Sequence, residues 1–210
     1  MREKNQIEEK QRLREMYRIE DTYYEKGITL VAGCDEAGRG PLAGPVVAAA
    51  VILPPHCEID YLDDSKRLTE KRRAALEPII KEKALAWAVA RIEAEEIDEI
   101  NILEASLKAM KTALEQLSVK AEAVLIDGPH PLRGVEIPME AVVKGDSRSA
   151  SVAAAAILAK TERDRIMVAY DALYPAYGFQ KHKGYPTRAH REAVKALGPS
   201  PIHRRSFRVK

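Results

Sequence analysis

The sequence predicts an α/β fold with a mixed five-stranded sheet, flanked by helices and followed by a helical C-terminal part. Two apolar runs of strand length, residues 28–34 and 46–53, are separated by a turn rich in Gly and Pro, which predicts an antiparallel hairpin. Beyond residue 85, strand-like and helix-like patterns alternate, as is typical of strands joined by helical crossovers. Residues 150–159 are nearly all small, which allows a helix to lie close against a sheet.

The remaining elements are predicted from the same kinds of pattern. Thr69 is a suitable cap for a helix that runs toward Lys83. Apolar residues recur every three or four positions through 95–117, which indicates one long helix with a buried face. The other predicted strands are residues 85–92, 122–126 and 135–143, and a second long helix begins near Ser149.

A chain of 210 residues matches one domain with appended ends. Residues 1–27 contain seven acidic and seven basic side chains, and we interpret them as a charged helical extension. The predicted domain is 28–210, and its helical C-terminal region covers about 160–210. That region has twelve Lys or Arg against four Asp or Glu, although the formal net charge of the chain is only +2. A basic region beside an acidic body fits a polyanionic partner, and the alternative is a solvated basic surface.

Two cysteines, Cys34 and Cys57, form neither a CxxC pair nor a disulfide framework, and no Cys/His group has the spacing of a zinc site. The N-terminus is charged, and the longest uncharged run, residues 40–57, contains four prolines. We therefore expect a cytoplasmic monomer that is neither exported nor inserted into a membrane.

Four acidic residues lie at predicted strand ends or in turns. Asp35 and Glu36 end the first strand, Asp127 ends the fourth, and Asp146 lies in the turn between the fifth strand and the second long helix. Taken singly, each has an ordinary explanation as a turn, cap or solvated residue. If the first and fourth strands are parallel neighbours, however, the acids meet at one sheet edge. Oxygen ligands without His or Cys favour Mg²⁺ or Mn²⁺, and two such ions about 4 Å apart suit phosphodiester hydrolysis.

The segment Gly38-Arg39-Gly40 begins a GxGxxxG spacing that superficially matches a dinucleotide-binding motif. That interpretation fails because Pro45 and the β-branched residues after it predict a strand, whereas the motif should open a helix. The two glycines allow bare backbone to approach a ligand, and Arg39 between them is suited to a phosphate. The alternative is a tight hairpin turn.

The segment CDEAGRGPLAGPV at 34–46 resembles the signature of the type 2 ribonucleases H, the bacterial ribonuclease HII family. The resemblance covers the chain from about residue 28 to the C-terminus. Further matching motifs are DSKRL at 64–68, IDG at 126–128, KGD at 144–146, KGY at 183–185 and HRRSF at 203–207. Ala156, where the family often has Ser, and residues 161–162 depart from the family pattern within the last long helix.

The resemblance implies a ribonuclease H-like fold and hydrolysis of the RNA strand of RNA–DNA hybrids. It also implies cleavage on the 5′ side of single ribonucleotides in duplex DNA, leaving a 3′-hydroxyl and a 5′-phosphate. By the same resemblance, two divalent ions, Mg²⁺ or Mn²⁺, are held by Asp35, Glu36, Asp127 and Asp146.

The resemblance further assigns substrate contacts. Backbone groups of Gly38, Arg39 and Gly40 would read the ribose 2′-hydroxyl, the group that distinguishes RNA from DNA. Tyr185 would pack on the neighbouring sugar. The alternative is that Tyr185 is only an aromatic residue in a rigid loop. Ser65 and Lys66 resemble phosphate contacts, although they also suit a loop before a helix.

Three further basic residues, Lys160, Arg163 and Lys183, are either phosphate contacts or parts of solvated faces. Two other functions remain open at this stage. One is a DNA endonuclease of the same fold, and the other is a hybrid-binding module without catalysis.

Overall fold

The computed structural model describes residues 2–208, with side chains from residue 7 onward. A single five-stranded sheet has the strand order β3-β2-β1-β4-β5 among these residues. The strands are β1 (Val31–Ala37), β2 (Val46–Ile52), β3 (Ala86–Ile92), β4 (Ala123–Asp127) and β5 (Met139–Val142). β1, β2 and β3 pair antiparallel, whereas β1, β4 and β5 pair parallel. The mixed five-stranded sheet is therefore confirmed.

The helices surround this sheet and continue beyond it. They are α1 (Arg2–Met16), α2 (Arg18–Tyr24), α3 (Glu70–Lys83), α4 (Ala94–Ile100), α5 (Ile102–Glu115), α6 (Ala150–Leu173), α7 (Phe179–His182) and α8 (Arg188–Leu197). α7 and α8 make the C-terminal part helical, as predicted. No helix in the described part of the chain is long and apolar enough to span a bilayer.

The sheet separates two apolar cores. α5 packs its buried residues, including Ala109 and Met110, on one face, and α6 packs its alanines on the other together with α1 and α3. The approach of α6 to β1 is so close that a Cβ on Gly33 would lie 2.1 Å from the backbone carbon of Ser151. The small residues at the start of α6 thus bring this helix directly onto the strand that carries Asp35.

Several predicted boundaries are wrong, including the end of the first strand, which continues to Ala37 instead of ending at Cys34. The helix expected at 95–117 is two helices, because Asn101 adopts φ 68° and its side chain accepts hydrogen bonds from the first backbone N–H groups of α5. The fifth strand covers only residues 139–142, because it pairs with β4 only opposite residues 124–127. The first strand starts at Val31, since the N–H groups of residues 29 and 30 bind the Glu122 carboxylate instead of a strand.

The N-terminal helices dock onto the domain. Leu13, Met16 and Tyr17 are buried, and the Tyr17 hydroxyl donates to the carbonyl oxygen of Cys57 at 2.9 Å. Glu20 of α2 is fully buried as well. Residues that precede the sheet therefore contribute to the core beside α6.

Candidate active site

Three of the four predicted acids meet at one edge of the sheet. Asp35 in β1 and Asp127 at the end of β4 lie on parallel neighbouring strands, and Asp146 lies in a 3-10 turn, Gly145–Ser147, just before α6. One carboxylate oxygen from each of these residues lies within 4.8 Å of the other two. Glu36 lies beside this group, and its Oε1 is 3.6 Å from Nη1 of Arg39.

Burial and mutual repulsion disfavour the charged forms of these acids. Burial raises the pKa of Asp35 well above its usual range, and the charges of Glu36 and Asp127 raise it further. Burial raises the pKa of Glu36 to about 7, although Arg39 opposes this rise. The pKa of Asp127 is raised by burial and by the charge of Asp146. The charged forms of Asp35, Glu36 and Asp127 are therefore disfavoured until a cation offsets their repulsion.

The cluster fits a divalent cation. Its three aspartates offer only oxygen donors, which are the ligands of hard ions such as Mg²⁺ and Mn²⁺. The N–H of Glu36 donates to Asp35 Oδ1 at 2.6 Å, and the N–H of Gly145 donates to Asp127 Oδ1 at 2.7 Å. These bonds orient both carboxylates, as hydrogen-bond donors commonly orient the side chains that bind a metal. A cation between them would relieve the repulsion that raises their pKa values.

Lys66 supplies a positive charge at this cluster. Its Nζ donates to Asp146 Oδ2 at 3.0 Å, although its side chain is 74% exposed. Burial lowers the pKa of Lys66, but the hydrogen bond and the charges of Asp146 and Asp35 outweigh this effect and raise it. The ammonium therefore stays charged and is accessible to an anion that approaches Asp146.

The Gly-Arg-Gly segment lies next to the acids and next to Tyr185. Arg39 and Gly40 are exposed, whereas Gly38 is buried. A Cβ on Gly40 would lie 3.7 Å from Cε1 of Tyr185, so the aromatic ring borders the exposed tip of the loop. Gly38 has φ +106°, and a Cβ there would clash with the Arg163 side chain at 2.2 Å. Glycine is thus required at position 38 both by the backbone and by its neighbour.

The other predicted contacts occupy different environments. Ser65 is buried, and its carbonyl oxygen accepts from Arg73 at 3.0 Å. Lys160 donates to Asp164 at 2.5 Å and lies 5.7 Å from the centre of the Tyr185 ring. The Nζ atom of Lys183 lies 3.6 Å from Oε1 of Glu70.

For Arg163, both interpretations, a phosphate contact and part of a solvated face, were wrong. This residue is fully buried, so it is neither part of a solvated face nor exposed to a phosphate. Its guanidinium donates to three backbone carbonyl oxygens instead.

Two residues at the site were missed in the sequence. The buried Glu20 accepts a hydrogen bond from the hydroxyl of Ser149 at 2.6 Å and one from the N–H of Ser151 at 3.1 Å, at the start of the helix that follows Asp146. Arg204, which is also buried, donates to carbonyl oxygens of the Gly-Arg-Gly loop. Arg204 had a sequence signal, since it lies within the HRRSF motif, whereas Glu20 had none.

The mixed sheet, the helices on both faces and the carboxylates gathered at one edge give the chain a ribonuclease H-like architecture. A family model described as Ribonuclease HII matches residues 32–210. The chain belongs to the ribonuclease HII family.

Individual relatives agree with this assignment. The chain is 60% identical over 180 residues to Ribonuclease HII of Dechloromonas aromatica, covering 86% of this chain and 91% of the relative. It is 52% identical over 200 residues to Ribonuclease HII of Moorella thermoacetica, covering 95% and 97%. The crystal structure of ribonuclease H2 from Pyrococcus horikoshii superimposes with a TM-score of 0.69 at 29% identity, covering 85% of this chain and 94% of that one. The resemblance in the motifs is therefore confirmed.

Proposed function

We propose that this protein is an endoribonuclease that hydrolyses the RNA strand of RNA–DNA hybrids and cuts on the 5′ side of single ribonucleotides in duplex DNA. The products would be a 3′-hydroxyl and a 5′-phosphate. The observation that carries this proposal is the convergence of Asp35, Asp127 and Asp146 within 4.8 Å, beside Tyr185 and the exposed tip formed by Arg39 and Gly40. Ribonuclease activity is supported by the family to which the chain belongs.

In this mechanism the acids hold two divalent ions, Mg²⁺ or Mn²⁺. Bound there, the ions would activate water for attack on phosphorus and neutralise the charge that develops on the phosphate. Asp35, Asp127 and Asp146 would hold the ions, and Glu36 would complete the set from its position beside Arg39. A separate nucleophilic side chain is not required by this chemistry.

The remaining residues would position the substrate. Lys66 Nζ is accessible beside Asp146 and would bind a phosphate oxygen, with Ser65 supporting the same loop. Backbone N–H groups at the Gly38-Arg39-Gly40 tip would bind the ribose 2′-hydroxyl, and the Tyr185 ring would pack on the adjoining sugar.

The proposed cellular setting follows from this specificity. Hybrids and embedded ribonucleotides arise in DNA, so the enzyme would serve ribonucleotide excision repair and DNA replication in the cytoplasm, acting as a monomer. The basic C-terminal region would contact the duplex backbone, and its affinity should fall as salt increases.

A duplex that contains one ribonucleotide tests the proposal. With Mg²⁺ or Mn²⁺ we expect one cut on the 5′ side of the ribose, and no cut in the same duplex made entirely of DNA. Cleavage of both duplexes would indicate a DNA endonuclease, and binding without cleavage would indicate a hybrid-binding module. Robust cleavage in EDTA would contradict the metal mechanism.

A further inference from the structure

Two buried arginines lie beneath the 38–45 loop without a carboxylate partner among the described residues. Arg163 comes from α6, and Arg204 comes from the C-terminal segment. Both side chains are at most 2% exposed. Burying a cation in this way is costly unless its N–H groups are satisfied by hydrogen bonds. The acceptors of those hydrogen bonds therefore indicate what the two arginines do.

The acceptors are backbone carbonyl oxygens of the loop. Arg204 donates to the oxygens of Gly38 (2.6 Å), Arg39 (3.2 Å), Pro41 (2.9 Å) and Gly44 (2.9 Å). Arg163 donates to the oxygens of Ala43 (3.1 Å) and Pro45 (3.0 Å), and the backbone N–H of Arg204 donates to Leu42 at 2.9 Å. Six of the eight carbonyls from 38 to 45 thus face inward, toward the two guanidinium groups.

This arrangement dictates the direction of the loop's N–H groups. In a trans peptide the C=O of one residue and the N–H of the next point in opposite directions. With the oxygen of Gly38 held inward, the N–H of Arg39 points outward, and the inward oxygen of Arg39 does the same for the N–H of Gly40. Arg39 and Gly40 are the exposed residues of the loop. Two adjacent donors are therefore presented at its tip.

The same framework holds Tyr185 against the loop. Arg163 also donates to the carbonyl oxygen of Lys183 at 3.0 Å, and the N–H of Leu42 donates to the oxygen of Gly184 at 2.8 Å. A Cβ on Gly184 would lie 2.6 Å from the oxygen of Ala43, so the two segments are in direct contact. The loop tip and the aromatic ring are consequently held as one unit.

The C-terminal segment is also connected to Tyr185 through a chain of hydrogen bonds. The carbonyl oxygen of Tyr185 can only accept, so Nδ1 of His190, 3.0 Å away, is the donor. Nε2 of His190 then accepts from Nε2 of His203, 3.0 Å away, whose Nδ1 accepts from the N–H of Ser200 at 2.8 Å. His203 and Arg204 are neighbours in sequence, so one short segment anchors both halves of the unit.

We propose that Arg204 and Arg163 are positioning residues for ribose recognition: they fix the 38–45 loop so that the N–H groups of Arg39 and Gly40 face the 2′-hydroxyl. This inference rests on the proposed function and deepens it. The arginines do not touch the substrate. They act by keeping the donors in place before the substrate arrives, which lowers the cost of ordering the loop on binding.

The test is a binding measurement in an Asp35→Asn background, which prevents cleavage. Dissociation constants are measured by fluorescence anisotropy, with Mg²⁺ present, for a duplex with one ribonucleotide and for the matched all-DNA duplex. Arg204→Lys keeps the charge but loses the planar fork that reaches four carbonyls. We expect it to reduce the preference for the ribonucleotide duplex about tenfold, the loss associated with one well-made hydrogen bond, and to leave all-DNA binding nearly unchanged.

Two controls separate positioning from general damage. Arg14→Lys makes the same chemical change at an exposed residue of α1, outside the basic C-terminal region, and should leave the preference intact. Ile80→Ala creates a cavity in α3, far along the chain from the loop, and should lower the melting temperature without lowering the preference. If Ile80→Ala reduces the preference as much as Arg204→Lys does, or if Arg204→Lys leaves it unchanged, the inference is overturned. If the Asp35→Asn parent shows no preference, the proposed function itself has failed.

Discussion

The acidic cluster and the 38–45 loop are neighbours at the site, yet they are stabilised in opposite ways. In the cluster, buried carboxylates raise one another's pKa values, and Lys66 compensates only part of their charge. In the loop, buried guanidiniums are satisfied by backbone oxygens contributed by the protein itself. The cluster is thus electrostatically incomplete until cations arrive, whereas the loop is complete without its ligand.

This difference indicates how the two tasks are divided. A site that binds cations gains affinity when its carboxylates repel one another in the free protein, because a bound cation removes that repulsion. A site that discriminates one hydroxyl group needs donors in fixed positions, since a mobile loop would adapt to a deoxyribose as well. Substitutions can therefore perturb the acidic cluster and the 38–45 loop separately.

The largest effect is expected when the acidic cluster loses a ligand. Asp35→Asn should reduce cleavage of the single-ribonucleotide duplex by about a thousandfold or more, because the charge that holds the cations is lost. Single-turnover cleavage with Mg²⁺ measures this effect. Asp60→Asn, at an exposed acid, is the matched control and should retain activity. Substantial activity in Asp35→Asn would contradict the role of the cluster.

The next effect concerns the aromatic side of the loop. Tyr185→Ala should slow cleavage at a single ribonucleotide about tenfold or more, because the contact between the ring and the neighbouring sugar is lost, and burying one aromatic side chain contributes about 1.5–3 kcal/mol. Cleavage of a long hybrid should suffer less, since other phosphate contacts remain. Tyr61→Ala, at another exposed tyrosine, provides the control for the loss of an aromatic ring. Equal losses of activity on both substrates would contradict the proposed contact between Tyr185 and the sugar next to the ribonucleotide.

A third prediction concerns pH and stability in the absence of metal. Because the folded-state pKa values of Asp35, Glu36 and Asp127 are raised, protonation of these groups favours the folded state. In EDTA the stability should be greatest at low pH, within the range where the rest of the protein stays folded, and it should fall as pH rises through about 7, the raised value for Glu36. Urea unfolding at several pH values measures this dependence.

Asp35→Asn should flatten that dependence. At high pH, where Asp35 is ionised, it should also stabilise the metal-free protein by about 1 kcal/mol or more, because it removes a buried charge from the cluster. Adding Mg²⁺ should stabilise the wild type more than the variant. A variant that is less stable than the wild type at high pH would contradict the proposed repulsion.

The smallest effect is expected at Glu20, which supports the start of α6. Glu20→Ala leaves the Ser149 hydroxyl and the Ser151 N–H without an acceptor and should cost about 1–3 kcal/mol of stability, with a severalfold loss of activity. Glu20→Gln keeps an acceptor oxygen and should restore most of both. Glu15→Gln, at an exposed acid of α1, is the matched control. If Glu20→Gln is no more stable and no more active than Glu20→Ala, these hydrogen bonds are unimportant.

Local patterns were sufficient to predict the strands and the position of the acids. Asp35 and Asp127 were found because apolar runs end beside them, and a parallel pairing of their strands places them at one edge. The break at Asn101 was not predictable from apolar spacing, because the residues of α4 and α5 keep one buried face across it.

Long-range polar contacts were not predictable in this way. Glu20 and Ser149 are 129 positions apart, and Arg204 and Gly38 are 166 positions apart. The sequence around such residues is that of an ordinary charged segment, and only the packing of the termini against the site shows their partners. Arg163 was misjudged for the same reason, since its acceptors are backbone oxygens of a distant loop.

Calorimetric titration of Mn²⁺ into the metal-free protein at neutral pH tests most directly whether the acidic cluster is completed by cations. Measured in two buffers of different ionisation enthalpy, the wild type should bind Mn²⁺ and release protons, because the ion displaces protons retained by Asp35 and Glu36. Asp35→Asn should bind far more weakly. Undetectable binding in the wild type, or equal affinity in Asp35→Asn, would contradict the account.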